Sequence, residues 1–223
     1  MASEAERRWT KMVADNAMVF PSEYVIRIFK GSYPHLNLDK GSFKGKKILD
    51  VGCGDGRNLV VLAQAGFDVH GAEVNQEIVD VVRKNMQELS IPAKIEVGTN
   101  DSLPFDEGYF DYLLSWNACY YLGENRDFNS HVEEFGRVIK AGGTLVLSIP
   151  KKTCFIYKGS DEERPGYRTI KNDPFNVRNG EVLRMFESEK EIEDTFSPYF
   201  KDFIFGSIED DCFGLDYHWH MIV

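Results

Sequence analysis

Apolar and polar positions along residues 46–150 repeat in a way that predicts strands alternating with helices. Short, nearly continuous apolar runs, typical of strands covered on both faces, are followed by segments whose apolar residues recur every three or four positions. This rhythm predicts a parallel sheet joined by right-handed crossovers. The predicted strands are 48–51, 67–73, 94–97, 109–116 and 144–149, and the predicted helices are 59–63, 75–89 and 128–139, the last ended by Gly142 and Gly143.

The segments outside this core break the rhythm. Residues 151–185 contain Pro165, Pro174 and several glycines with little periodicity, which indicates an insertion. Because open α/β sheets bind ligands beyond the carboxyl ends of their strands, we expect the insertion to lie there. The predicted divisions are a helical lead-in or cap at 1–45, the core at 46–150, the insertion at 151–185 and, at 186–223, a closing helix at 192–200 with two last strands at 203–208 and 218–223. The expected fold is therefore a doubly wound α/β domain with a mostly parallel, seven-stranded sheet.

Composition excludes several classes of function. The net charge of −10 argues against nucleic acid as the main partner, because phosphate binding needs a basic face. No run approaches the ~18 apolar residues of a membrane helix, and residues 1–12 are not expected to act as a secretory signal. The four cysteines show no paired or metal-type spacing, which fits reduced thiols. A cytoplasmic protein that does not contact membranes is the expectation.

Charge changes sign late in the chain. Residues 151–184 carry eight Lys or Arg against five acids, whereas residues 187–216 carry ten acids against two lysines. One interpretation is two solvated faces of opposite charge. The other is a basic lid that favours an anionic substrate.

The stretch KKILDVGCGDGRN at 46–58 is typical of the start of an α/β nucleotide site, in which a strand, a glycine turn and a helix follow one another. Glycines let the backbone turn sharply and approach a ligand that a Cβ would repel. Free N–H groups at the helix start attract a negative group. The spacing is G-x-G-x-G, and it lacks the third glycine of the G-x-G-x-x-G dinucleotide fingerprint.

Glu73 lies at the predicted end of the second strand, about 20 residues beyond the turn. An acid at this place can accept both hydrogen bonds of a ribose diol. An NAD enzyme would use the same acid, so Glu73 predicts an adenosine-type ligand without separating cofactors.

With Asp50 directly ahead of the turn, residues 46–58 resemble motif I of the class I S-adenosylmethionine (SAM) dependent methyltransferases. VGTNDSLPF at 97–105 resembles the segment after the third strand of that family. FDYLLSWNACYYL at 110–122 resembles its fourth strand and the loop that approaches the methyl donor. The chain departs from the family at Thr99, where Asp is usual, so the adenine contact is expected to pass to Asn100 or Asp101.

The resemblance implies a Rossmann-like methyltransferase fold, SAM as cofactor and S-adenosylhomocysteine (SAH) as product. SAM has a methionine carboxylate and ammonium to be held; backbone donors of the turn suit the carboxylate, and Asp50 offers a carboxylate near the ammonium or a bond to the turn. Glu73 is expected to bind the ribose, with Val74 against the adenine. The implied cofactor-binding residues are Asp50, Gly52, Cys53, Gly54, Asp55, Arg57, Asn58, Glu73, Val74, Asn100, Asp101, Ser102, Ser115, Trp116 and Tyr121.

Methyl transfer is an in-line displacement, so the enzyme mainly aligns the reactants and excludes water. A base is needed only for a hydroxyl or protonated amine acceptor. Candidates are Tyr121 and the pair His218 and His220, which alternation places on one face of the last strand with Trp219 on the other. Two histidines spaced i, i+2 without a third ligand predict no metal site.

The leading hypothesis is a SAM-dependent methyltransferase acting on a small-molecule acceptor of anionic or sugar-like character. One alternative is a nucleotide-binding oxidoreductase of the NAD type. The other is a non-catalytic, methyltransferase-like binding module.

Overall fold

The computed structural model describes residues 4–15, 20–122 and 126–223. Its α-helices are α1 (Glu4–Asp15), α2 (Glu23–Lys30), α3 (Arg57–Ala65), α4 (Gln76–Glu88), α5 (Asn129–Val138) and α6 (Glu189–Phe196). Its strands are β1 (Lys47–Val51), β2 (Asp68–Glu73), β3 (Ala93–Val97), β4 (Phe110–Ser115), β5 (Tyr121–Leu122), β6 (Ile139–Pro150), β7 (Asp161–Arg164), β8 (Tyr167–Thr169), β9 (Val182–Arg184), β10 (Phe205–Cys212) and β11 (Leu215–Ile222). Within these ranges, no helix has the length and apolar character needed to cross a membrane.

The main sheet has seven strands in the order β10-β11-β6-β4-β1-β2-β3. β1, β2, β3, β4 and β6 pair in parallel, and β10 and β11 form an antiparallel hairpin against β6. The predicted fold class, a mostly parallel seven-stranded α/β sheet, is confirmed. The strand order reverses at β1 and β4, whose carboxyl ends therefore border the place where such sheets bind ligands.

Helix α4 shows how the predicted pattern becomes structure. Its buried side chains are those that recur every three or four positions, including Val79, Val82 and Met86. Asn75 caps the helix, since its side-chain oxygen accepts a hydrogen bond from the N–H of Ile78 at 3.0 Å. α1 packs on α4, and α2 packs on α3. The lead-in thus adds an outer helical layer to the core.

The helix after β4 ends earlier than predicted. α5 ends at Val138, and Ile139 already begins β6, so the predicted helix end at Gly142 and Gly143 is wrong. Gly142 has φ +77°, and the pairing of β6 with β4 shifts register here. A Cβ on Gly143 would lie 2.8 Å from the carbonyl oxygen of Asp111. The glycines therefore form an irregularity inside a long strand, and at Gly143 the neighbouring backbone comes too close for a side chain.

The insertion is more regular than its sequence indicates. β7, β8 and β9 join β5 in a second, antiparallel sheet of order β5-β9-β8-β7. Strands of two to four residues are too short for alternation to reveal them. Tyr121, in the segment that follows β4, pairs with Leu183, so this sheet is attached beyond the carboxyl end of a central strand.

The closing hairpin is longer than predicted. β10 and β11 have eight residues each and turn at Phe213 and Gly214. Only the half of β11 from Trp219 to Ile222 pairs with β6, and the apolar pattern predicted that half. The hydroxyl of Tyr24 in α2 donates to Asp210 at 2.8 Å, which ties the polar half of the hairpin to the helical lead-in.

Candidate cofactor and acceptor site

Three glycines bend the chain beyond β1. Gly52, Gly54 and Gly56 have φ of +72°, +61° and +87°, a region that favours glycine. A Cβ on Gly52 would lie 2.4 Å from the Cβ of Ala118, in the loop after β4. A Cβ on Gly54 would lie 3.8 Å from Trp9 of α1, an ordinary van der Waals distance. The turn thus packs tightly against the β4 loop and less tightly against α1.

Several N–H groups of the turn bond within the protein. Gly52 and Cys53 donate to the carbonyl of Ala72 at 2.9 and 3.3 Å. Gly54 donates to the carboxylate of Glu73 at 2.7 Å. These three donors are therefore already used, and a ligand carboxylate needs others.

Three buried acids surround the turn, and we call Asp50, Asp55 and Glu73 the acidic wall. Asp50 is 1% exposed, and neither of its carboxylate oxygens has a hydrogen-bond partner among the residues the structure describes. Burial, together with repulsion from Glu73 and Asp55, raises the pKa of Asp50 well above its usual value. Burial also raises the pKa of Glu73 to about 7, against the effect of its bonds to the N–H groups of Gly54 and Val74. A cation in contact with this wall would relieve both penalties.

Asp55 fills the N-terminus of α3. Its carboxylate, only 3% exposed as a residue, accepts hydrogen bonds from the backbone N–H of Arg57 at 3.2 Å and from the Arg57 side chain at 2.9 and 2.7 Å. In dinucleotide-binding folds this helix end receives the pyrophosphate. Here the chain supplies its own anion, which disfavours a pyrophosphate at the same place.

The other predicted residues near the turn differ in accessibility. Val74 follows Glu73 and is 42% exposed, so it is available to cover a ligand ring. Asn58 is buried and accepts a hydrogen bond from the N–H of Ser22 at 3.0 Å, which joins α2 to α3. Cys53 is buried against β2, since a Cβ on Gly71 would lie 2.8 Å from its sulfur. Asn58 and Cys53 thus anchor the turn to α2 and to β2, respectively.

The segment after β3 is linked to neighbouring loops. The Asn100 amide donates to the carbonyls of Ala118 and Tyr121 at 3.1 and 3.4 Å. Asp101 pairs with Arg126 and accepts from the Thr99 hydroxyl at 2.7 Å. The N–H of Ser102 donates to the carbonyl of Thr99 at 3.1 Å.

The carboxyl end of β4 is also buried. Ser115 is fully buried and Trp116 is 6% exposed. Asn117 has φ +61° and is fixed by Ser148, which accepts from its N–H at 2.7 Å and donates to its side-chain oxygen at 2.8 Å. This bend directs the chain toward Ala118 and the glycine turn.

The two candidate histidines have partners away from the acidic wall. His218 Nδ1 lies 2.9 Å from the hydroxyl of Thr153, and His220 Nδ1 lies 3.4 Å from a carboxylate oxygen of Glu189 in α6. Trp219 packs against Tyr120, with ring centroids 5.6 Å apart. Burial, followed by the charge of Lys151, lowers the pKa of His220, so it is neutral near pH 7.

Sequence reasoning missed Arg178 as an individual residue. Its Nε donates to the hydroxyl of Tyr121 at 2.8 Å, and its Nη1 donates to Asp173 at 3.0 Å. The insertion thereby contacts a residue predicted to lie beside the sulfonium. The only signal for Arg178 was its membership in the basic segment 151–184.

Sequence reasoning also missed the position of α1. Trp9 faces Gly54, and the neighbouring Arg8 donates to the carbonyl of Asn179 at 2.8 Å. The amide of Asn75 donates to Thr10 at 3.0 Å. α1 therefore bridges the glycine turn and the insertion, and its helical pattern alone gave no sign of this.

The residues present fit a cationic adenosyl compound. Asp50 offers two buried oxygens that have no hydrogen-bond partner in the described ranges. At Gly54 the nearest atom to an added Cβ is a ring carbon of Trp9, at 3.8 Å. Each Glu73 oxygen accepts one backbone hydrogen bond and has a further lone pair for a ribose hydroxyl. Positive charge and a ribose are both features of SAM.

Comparisons with known proteins agree with this geometry. Residues 48–143 match the family model described as a methyltransferase domain. The chain is 21% identical over 154 residues to the magnesium-protoporphyrin O-methyltransferase of Rhodobacter capsulatus, covering 68% of this chain and 67% of that protein. It is 33% identical over 112 residues to the sarcosine/dimethylglycine N-methyltransferase of Aphanothece halophytica, covering 49% of this chain and 39% of that protein.

A solved structure shares the fold. The crystal structure of a SAM-dependent methyltransferase from Methanosarcina mazei superimposes with a TM-score of 0.66 at 21% identity, covering 86% of this chain and 96% of that one. The sequence matches to the two curated relatives above cover less: the aligned part of this chain spans 67% and 39% of their lengths.

Proposed function

Since this chain belongs to the class I SAM-dependent methyltransferases, we propose that it transfers a methyl group from SAM to a small-molecule acceptor. The observation that carries the proposal is the acidic wall, in which neither buried carboxylate oxygen of Asp50 has a hydrogen-bond partner in the part of the chain that the structure describes. An uncompensated buried acid is costly, and a cationic ligand removes that cost.

In this proposal the acidic wall binds the cofactor. Asp50 is the residue for the ammonium, Glu73 for the ribose diol, and Val74 for one face of the adenine. SAM supplies a methyl group on a sulfonium, from which a neutral thioether departs. Asp55 remains bonded to Arg57 and keeps the turn in shape.

The remaining task of the protein is to align the acceptor and exclude water. α1 covers the turn at Gly54 through Trp9 and reaches the insertion through Arg8. The loop after β4 closes the other side, because Ala118 touches Gly52. In this proposal the acceptor binds where the insertion meets this loop, at the pairing of Tyr121 with Leu183.

The names of the two relatives above support a small-molecule acceptor, since they refer to magnesium-protoporphyrin and to sarcosine or dimethylglycine. The basic excess of residues 151–184 adds no support for an anionic acceptor, because seven of the eight basic side chains form ion pairs with acids.

Isothermal titration with SAM, SAH and NAD tests the cofactor. We expect SAM and SAH to bind in the micromolar range and NAD not to bind, because Asp55 occupies the helix end that a pyrophosphate needs. Binding of NAD in preference to SAM would overturn the proposal and support an oxidoreductase.

Transfer of labelled methyl groups from SAM to a panel of small acids, amines and sugars tests the activity. A labelled small-molecule product is the expected result. If SAM binds but labels nothing in the panel, the protein is better described as a non-catalytic binding module.

A further inference from the structure

The strongest unassigned feature is a cluster of hydrogen-bond donors where the insertion meets the loop after β4. Arg178 reaches this loop through Tyr121, at 2.8 Å. The same loop carries Ala118, which touches the glycine turn at Gly52. Arg178, although it lies in the insertion, is therefore linked through this loop to the turn that we assign to the cofactor.

Arg178 is held in a fixed position. The Asp173 carboxylate, whose side chain is fully buried, accepts hydrogen bonds from the backbone N–H groups of Val177 at 2.8 Å and Arg178 at 3.1 Å. It also accepts one from Arg178 Nη1 at 3.0 Å. The Arg178 side chain is 16% exposed. A charged side chain that is positioned in advance and partly desolvated binds a ligand at little entropic cost.

Donors around Arg178 outnumber their partners. Nε and Nη1 of Arg178 are used, and within the described part of the chain Nη2 has no hydrogen-bond partner. Tyr121 accepts from Arg178, so its own hydroxyl hydrogen is left to donate elsewhere. The Tyr120 ring stacks on Tyr121 with centroids 4.9 Å apart and lies 5.6 Å from that of Trp219.

Two of these neighbours have buried polar atoms without partners. They are the hydroxyl of Tyr120 and Nε1 of Trp219, neither of which meets a hydrogen-bonding atom in the described ranges. An indole N–H can only donate, and a buried donor without a partner costs free energy. We call Arg178, Tyr121, Tyr120 and Trp219 the donor wall. Its chemistry calls for a ligand rich in hydrogen-bond acceptors.

The charge balance selects the kind of anion. Arg178 already faces one carboxylate, Asp173, so the pair has little net charge to offer a dianion. A carboxylate matches the planar fork of a guanidinium.

We propose that Arg178 binds a carboxylate of the methyl acceptor, so that the natural acceptor is a small organic acid. This inference rests on the methyltransferase function proposed above. In this scheme the donor wall selects the acceptor, and the acidic wall binds the cofactor.

The test uses the full chain loaded with SAH. Acetate, benzoate and 3-phenylpropionate are titrated by calorimetry, with acetamide, benzamide and 3-phenylpropionamide as neutral counterparts and inorganic phosphate as the dianion. We expect at least one acid to bind about tenfold more tightly than its amide and more tightly than phosphate.

Three variants locate the effect. Arg178→Gln should weaken the best acid about tenfold or more and leave its amide unchanged, and Arg178→Lys should restore part of the loss. Arg168→Gln is the matched control, since Arg168 belongs to the same insertion but bonds to Ser160 and Glu162. The control should bind the acid like wild type. Unchanged SAH affinity in all three variants would show that each variant is folded.

Each other outcome decides against the inference. It is overturned if no acid binds better than its amide, if phosphate binds best, or if Arg178→Gln binds the acid like wild type. It is also overturned if Arg168→Gln and Arg178→Gln lose acid binding equally. Failure of wild type to bind SAH counts instead against the proposed function, so the two failures are distinguishable.

Discussion

The acidic wall and the donor wall differ in chemistry and in the chain segments that form them. The acidic wall comes from Asp50, Asp55 and Glu73, which lie within 24 residues on one strand–turn–helix–strand unit. The donor wall comes from the β4 loop, the insertion and the last strand, in the range from Tyr120 to Trp219. The first wall has carboxylates in excess, and the second has N–H and O–H donors in excess.

This difference explains why one wall is visible in the sequence and the other is not. A cation-binding unit made of neighbouring residues has fixed spacings, such as Asp50 before the turn and Glu73 at the next strand end. A wall assembled from distant segments depends on pairings such as Tyr121 with Leu183. The predictions below separate the two walls, beginning with the change expected to have the largest effect.

Gly52→Ala changes the contact between the glycine turn and the loop after β4. The added Cβ would lie 2.4 Å from the Cβ of Ala118, at a residue with φ +72°. We expect the free energy of unfolding to fall by about 3 kcal/mol, from backbone strain and overpacking together. Urea denaturation measures it.

Gly142→Ala is the control for this change. Gly142 has φ +77°, but no atom of the described residues lies within 4 Å of an added Cβ, so only the strain of about 1 kcal/mol applies. Equal losses in the two variants would mean that the β4 loop shifts easily and does not hold the glycine turn rigidly.

Glu73→Ala removes the ribose-binding acid from the acidic wall. We expect SAM affinity to fall about 100-fold, because two charge-assisted hydrogen bonds to the cofactor are lost. Calorimetry measures the affinity, and Glu88→Ala, at the exposed end of α4, is the matched control. Wild-type affinity in Glu73→Ala would remove Glu73 from the cofactor site.

The affinity for SAM should depend on pH through the acidic wall. The pKa of Glu73 is about 7 and that of Asp50 is raised, so acid neutralises the groups that attract the cation. We expect SAM binding to weaken about tenfold from pH 8 to pH 6, with a smaller change in Glu73→Gln. A flat profile in wild type would contradict this assignment.

The stability of the ligand-free protein should shift with pH in the opposite sense. Because the folded-state pKa of Glu73, about 7, exceeds the usual value of 4.5, its contribution is fully present below pH 4.5 and is lost as the pH rises through 7. Relative to Glu73→Gln, wild type should therefore lose stability between pH 5.5 and pH 8.

Asn75→Ala should have the smallest effect. It removes the cap of α4 and the bonds from Asn75 to Glu6 and Thr10 of α1, and we expect a loss of about 1 kcal/mol. Hydrogen exchange should also become faster in α1. Ser188→Ala removes the corresponding cap of α6 without touching α1, so faster exchange in α1 there would contradict the tether.

The comparison of prediction and structure follows the same division. The strands of the core, α4 and the acidic wall were predictable, because their signals are local periods and short spacings. The end of α5 was not predictable, since the two glycines that resemble a helix stop lie inside β6, where Gly142 has φ +77° and Gly143 avoids a clash with the Asp111 carbonyl. The second sheet was not predictable either, since its strands have only two to four residues.

The sequence by itself determined the parallel core, the turn at residues 52–56 and the place of Glu73, because each depends on neighbours along the chain. Only the tertiary structure decided that α1 covers the turn, that Asp55 fills its own helix end, and that Arg178 contacts Tyr121. These contacts join residues whose separation in sequence has no fixed period. They form because burying apolar surface brings distant segments together, and the polar groups then pair with whatever lies nearby.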